Sequence, residues 1–138
     1  MRTAIAAALY FAVVFGAGFL FGVIRVLLLD PRLGPFIAVL CEAPFMLAVI
    51  VAAARWVPHV VRLPADLTSH LLMGLGAVAL QQVADVIVGS TLRGVSPAEQ
   101  LAQFSRPEGK VYALLLVLFV IMPALLNASV RTEGRSAD

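Results

Sequence analysis

Apolar residues run almost unbroken through four stretches of the chain, at about 3–29, 34–55, 67–92 and 110–127, and polar residues gather between them. A helix crosses a bilayer with roughly 17–25 mainly apolar residues, so each stretch predicts a transmembrane helix. The first ends in Asp30-Pro31-Arg32-Leu33-Gly34-Pro35, a composition that predicts a turn. Pro35 then suits the first position of the second helix, where its missing N–H is no loss. Residues 55–66 hold Arg55, Pro58, His59, Arg62 and Pro64 and read as an interfacial loop, with Trp56 as an aromatic anchor. Ser96-Pro97-Ala98-Glu99 has the pattern of a capping box. It predicts a short helix over about 97–104, lying in the membrane interface. The tail, 131–138, is polar and expected to be mobile. The expected fold is all-α: a four-helix transmembrane bundle in one domain, 1–130, with the interfacial helix between the third and fourth spans.

Composition agrees with this pattern. The chain of 138 residues is 62% hydrophobic and 13% charged, about half the charge of an ordinary soluble domain. The formal net charge of +2 comes from arginines at the ends of apolar runs, where they orient helices. There is no basic stripe or aromatic platform of the kind that binds nucleic acid, and no nucleic-acid partner is expected. The lone Cys41 and the separated His59 and His70 match no metal-ligand spacing, so neither metal nor cofactor is expected. The apolar part of residues 3–24 is longer than a signal-peptide core, and no small-residue cleavage site follows it. It reads as a retained first span. Four spans place both termini on one side, with Arg2, Arg55, Arg62, Arg131 and Arg135; the other side has Arg32, Arg93, Arg106 and Lys110. Arg25, if counted, makes the two sides equal, but the second loop has no acid between Arg55 and Arg62, which favours cytoplasmic termini.

Three ionisable residues interrupt the apolar stretches: Arg25, Glu42 and Asp85. A charge at the centre of a bilayer costs ~2.5–3.5 kcal/mol on insertion scales. Arg25 lies ~10 Å below the first loop, and Glu42 and Asp85 lie ~12 Å below the first and third loops, at 1.5 Å per residue. All three therefore fall in the same leaflet and at nearly the same depth. Gly18 and Gly22 form a G-x-x-x-G pair on the Arg25 face, and Gln81, Gln82 and Gly74 make a polar and small stripe with Asp85. Such residues favour helix contacts over lipid. The expected site is Arg25, Glu42, Asp85, Gln81 and Gln82 closing on one another, with Gly18, Gly22 and Gly74 as packing positions. Pro44 is expected to kink the second helix beside Glu42. Tyr112, near the outer end of the fourth helix, is placed either to reach the cluster or to sit in an aromatic belt, with the belt favoured.

The segment 22–55, with Arg25, the Pro31-Arg32-x-Gly34 turn and Glu42-x-Pro44, together with Arg93-Gly94 and the stretch 96–104, resembles small uncharacterised four-helix inner-membrane proteins of bacteria. The resemblance implies a bacterial cytoplasmic-membrane setting and no particular activity. Small multidrug-resistance exporters have a similar size, but their essential glutamate lies in the first helix, where this chain has Arg25 and no acid.

The buried charges read equally as a polar network that fixes helix register and as a site for a proton or polar ligand, and the residues fit three functions. The leading one is a non-catalytic membrane protein that binds or transports a proton or a small polar or amphiphilic ligand at the buried charges. The second is a membrane enzyme, isomerase-like, using Glu42 and Asp85 as acid and base on a lipid-soluble substrate. The third is a structural or assembly subunit. The expected partners are the lipid bilayer, an amphiphilic ligand, and a second copy or another membrane protein docked through small residues.

Overall fold

The computed structural model describes residues 1–137. The chain folds as an all-α bundle: α1 (Arg2–Ile24), a π-helical turn (Arg25–Leu29), α2 (Asp30–Leu33), α3 (Pro35–Val61), α4 (Leu67–Leu92), α5 (Pro97–Gln103) and α6 (Pro107–Ser136). Four helical stretches are long and apolar enough to cross a membrane: Arg2–Leu33, Pro35–Val61, Leu67–Leu92 and Pro107–Ser136. α1 packs against α3 and α4, and α6 packs against the same two helices. The four form a ring in the order α1, α3, α6, α4. In sequence terms they are two hairpins, α1–α3 and α4–α6, laid against each other.

The helices run past the ends of the expected spans. The turn expected at residues 30–35 is helical up to Leu33. Pro31 has no N–H to give to the carbonyl four residues back. The helix widens ahead of it, and the Asp30 N–H bonds the Arg25 carbonyl, five residues back. The chain breaks only at Gly34, whose φ of 81° is natural for glycine. The loop expected at 55–66 is mostly helix, because α3 continues through Pro58 to Val61. It stops when Arg62 adopts a left-handed conformation. The Leu63 N–H then bonds the Pro58 carbonyl at 2.9 Å and the Arg62 N–H bonds the His59 carbonyl at 3.3 Å, a Schellman stop. Asp66 caps α4 by accepting from the Ser69 N–H at 2.7 Å and the Ser69 hydroxyl at 2.9 Å. The expected polar tail is helical through Ser136. The interfacial helix matches its expectation: α5 has both halves of the capping box between Ser96 and Glu99.

The apolar core joins Tyr10, Val14, Met46, Ile50, Ala53, Val57, Met73, Ala77 and Phe119. It sits in the half of the bundle that holds the termini. Gly74 lets α4 approach α6 closely: an added Cβ would collide with the Val120 backbone. Tyr10 crosses the ring and donates its hydroxyl hydrogen bond to the Phe119 carbonyl at 2.9 Å. That carbonyl is the one four residues before Pro123, which has no N–H to offer it.

Candidate functional site

The polar residues lie in the other half of the bundle, toward the α1–α3 and α4–α6 connections. The structure resolves them into two groups. The first joins the α1–α3 hairpin. Arg25 opens the π-helical turn, and its Nε is 2.7 Å from Glu42 Oε2 on α3. Its Nη1 is 3.5 Å from Asp30 Oδ2. The π turn accounts for the second contact, because one extra residue in the turn brings position 30 round onto the face of position 25. The Arg25–Glu42 contact is an ion pair and not a directed hydrogen bond, since the Arg25 Nε–H has no hydrogen-bond partner among the described residues. The pair is partly shielded, with the Arg25 side chain 24% and the Glu42 side chain 15% exposed.

The second group joins the α4–α6 hairpin. Gln81, one turn before Asp85, donates from Nε2 to Asp85 Oδ1 at 3.0 Å. Tyr112 on α6 donates its hydroxyl to Asp85 Oδ2 in a short contact. Both carboxylate oxygens are thus held by neutral donors. Among the described residues no cation lies within 4.0 Å of Asp85. Gln81 Oε1 and Gln82 Nε2 are shielded from solvent and have no hydrogen-bond partner there. One amide oxygen and one amide N–H beside Asp85 are therefore unused.

These contacts correct the expected single cluster. Arg25 does meet Glu42, but Asp85 shares no hydrogen-bond or ion-pair partner with either. Depth along a helix follows from residue counts, whereas the direction a residue faces around the axis depends on the rotation of each helix in the ring. Tyr112 is a ligand of Asp85 and not a free member of an aromatic belt. Its hydroxyl could reach Asp85 because both residues lie about one to two turns from the ends joined by α5. Phe104, at the end of α5, lies beside Tyr112 with ring centroids 5.9 Å apart. Asp30 was missed as a partner of Arg25, since the sequence pattern gives no sign of the π turn.

The glycines divide. Gly18 faces Met46 of α3, and Gly74 meets Val120 of α6. Gly22 has nothing within 4 Å of where its Cβ would be, so the G-x-x-x-G pair does not act as a unit inside this chain. Cys41 is exposed. No group of three or more His, Cys, Asp or Glu among the described residues could hold a metal ion. An open, mostly apolar groove of about 840 Å³ runs along the outer face of α3, and a smaller one of about 400 Å³ lies between α1 and α3; Trp56 borders both. Neither groove is lined by Glu42 or Asp85.

Chemically, the first group is a clasp of one cation between two carboxylates, and the second is a carboxylate that touches only neutral donors, with Arg93 acting on it from beyond 4.0 Å. No protein-family model matches the chain, and no curated protein or solved structure matches it.

Proposed function

We propose that this chain is a non-catalytic, multi-pass protein of a bacterial cytoplasmic membrane, with both termini in the cytoplasm, and that Asp85 is its exchangeable-proton site. The observation that carries this reading is the contrast between the two acids. Glu42 has Arg25 at 2.7 Å, a cation it shares with Asp30, whereas Asp85 touches only the neutral donors Gln81 and Tyr112, and Arg93 acts on it from beyond 4.0 Å. A charge inside the membrane without an opposite charge is costly. A proton, or the cationic group of a small amphiphilic ligand, removes that charge. The unused Gln81 Oε1 and Gln82 Nε2 supply an acceptor and a donor for whatever enters. Arg25 with Glu42 holds the opposite hairpin closed at the same depth.

Binding is favoured over acid–base catalysis because Glu42 and Asp85 stand on different hairpins with separate partners. A general acid and base acting on one substrate need shared reach. The arginines of residues 55–62, with no acid between them, support the orientation.

Difference infrared spectroscopy of the protein in liposomes, recorded across a pH series, tests the assignment. The expected result is a carboxylic-acid carbonyl band that titrates, disappears in Asp85→Asn and persists in Glu42→Gln. A titrating band that survives Asp85→Asn, or the absence of any such band, would overturn the reading.

A further inference from the structure

The groove on the outer face of α3 is not used by the proposed proton site. Its floor is made by small side chains, Ala48 and Ala52, and it runs from Pro44 to Arg55, Trp56 and His59. None of its lining residues is acidic. Among the described residues neither Arg55 nor His59 has a carboxylate within 4.0 Å. Arg62, nearby in sequence, is also exposed, and its carbonyl accepts a hydrogen bond from Arg2 at 3.3 Å. The groove therefore opens at one end onto unpaired positive charge and is apolar along the rest of its length.

Its length suits a lipid. Eleven helical residues separate Pro44 from Arg55, a rise of ~16 Å at 1.5 Å per residue. One leaflet of the hydrocarbon core is ~15 Å thick, half of the usual ~30 Å. With the Trp56 indole at the interface, where tryptophan is favoured, Pro44 falls near the bilayer midplane. An acyl chain lying along Ala52 and Ala48 would end there.

We infer that this groove binds one anionic phospholipid of the leaflet facing the termini, with its phosphate on Arg55 and an acyl chain along Ala52 and Ala48 toward Pro44. The His59 ring narrows the choice of headgroup. Its Nδ1 is engaged by the Arg55 carbonyl, which can only accept, so Nδ1 carries the hydrogen. Nε2 of the neutral ring is then an acceptor, matched to a headgroup that offers hydroxyls. A phosphatidylglycerol-type headgroup supplies both the negative phosphate and the hydroxyl donors. A choline headgroup supplies no donor and brings a positive charge toward Arg55. Juxtamembrane cations attract anionic lipids by about a fivefold gain in affinity per Lys or Arg.

The chain carries its own probe. Trp56 is the one tryptophan of the sequence, and it borders the groove. The experiment reconstitutes the full chain in bilayers containing graded fractions of brominated phosphatidylglycerol or brominated phosphatidylcholine and reads quenching of Trp56. Phosphatidylglycerol is expected to occupy the site with about fivefold higher relative affinity. Arg55→Gln is expected to remove the preference while leaving quenching by both lipids. Ala52→Leu, at an exposed position, fills the groove and is expected to weaken quenching by both, with helicity by circular dichroism unchanged. Superimposable curves for the two lipids in the wild-type chain would overturn the inference. So would a preference that survives Arg55→Gln. Weak quenching by both lipids in the wild type would mean that a second copy or another helix covers the groove, and would overturn it too. None of these outcomes depends on Asp85.

Discussion

In α1 the buried residues Ala6, Ala7, Tyr10 and Val14 all lie in the first half, and none of residues 15–33 is buried. The same division runs through the other helices. At the end with the termini, α3 buries Met46, Ile50, Ala53, Ala54 and Val57, α4 buries His70, Met73, Gly74 and Ala77, and α6 buries Phe119, Pro123 and Ala124. At the opposite end, among the described residues, only Ala38, Gly89 and Gly109 are buried. Lipid gives no hydrophobic drive for two apolar helices to associate. What holds them is close packing, or hydrogen bonds and charge pairs that lipid cannot supply. The end with the termini uses packing. The other end uses two polar clasps, Arg25 with Glu42 and Asp85 with Tyr112, each inside one hairpin. The hairpins are thus fastened to each other mainly at one end and to themselves at the other.

The sharpest way to break this contrast is to make matched glycine substitutions in the two halves. Gly74→Val is expected to cost about 3 kcal/mol or more, since the new side chain would run into the Val120 backbone and close packing tolerates no such insertion. Gly22→Val, where there is open space, is expected to cost nothing and to gain about 0.5 kcal/mol or less, because valine is a better helix former than glycine. Thermal unfolding in detergent checks both. Equal losses at the two positions would remove the distinction between a packed half and a clasped half.

Smaller losses are expected from the clasps. Glu42→Gln removes the charge opposite Arg25, and Tyr112→Phe removes one donor from Asp85. Each is expected to cost ~1–2 kcal/mol, the scale of a polar contact between membrane helices. Their effects should add in a double variant, because distant sites without shared partners are independent. Strong non-additivity would show that the two hairpins communicate through the polar half.

The smallest effect is expected outside the spans, at Asp66. The Ser69 backbone N–H, with the Ser69 hydroxyl, holds the Asp66 carboxyl below its usual range. A folded-state value below the unfolded one, near 3.9, means that this capping contribution is present above about pH 4. It is lost as pH falls through the lowered folded value. Asp66→Asn is expected to flatten that part of the acid-stability profile. A profile identical to wild type below pH 4 would count against the cap as a source of acid sensitivity.

Much of the architecture was legible because it follows from periodicity, hydropathy and caps. The α5 boundaries followed from Ser96, Pro97 and Glu99, whose capping chemistry is local. The end of α3 was not legible, because Pro58 in a loop and Pro58 within a membrane helix look alike in sequence; neighbouring groups decide which is tolerated. The site was legible in depth and not in direction. Counted from the helix ends, Arg25, Glu42 and Asp85 stand about two turns in, yet their partners lie within separate hairpins. The π turn added to this, by drawing Asp30 to Arg25. The role of Tyr10 was invisible because nothing local marks a tyrosine as the partner of a carbonyl on the last helix.

That last contact makes one position of the chain depend on another far away in sequence. A chain that lost Pro123 would regain the N–H for the Phe119 carbonyl, and that oxygen, with two lone pairs, would no longer depend on the Tyr10 hydroxyl. A chain that lost Tyr10 while keeping Pro123 would strand a carbonyl in a place water does not reach. The dependence therefore runs one way: the proline makes the distant tyrosine necessary, and the tyrosine does not require the proline.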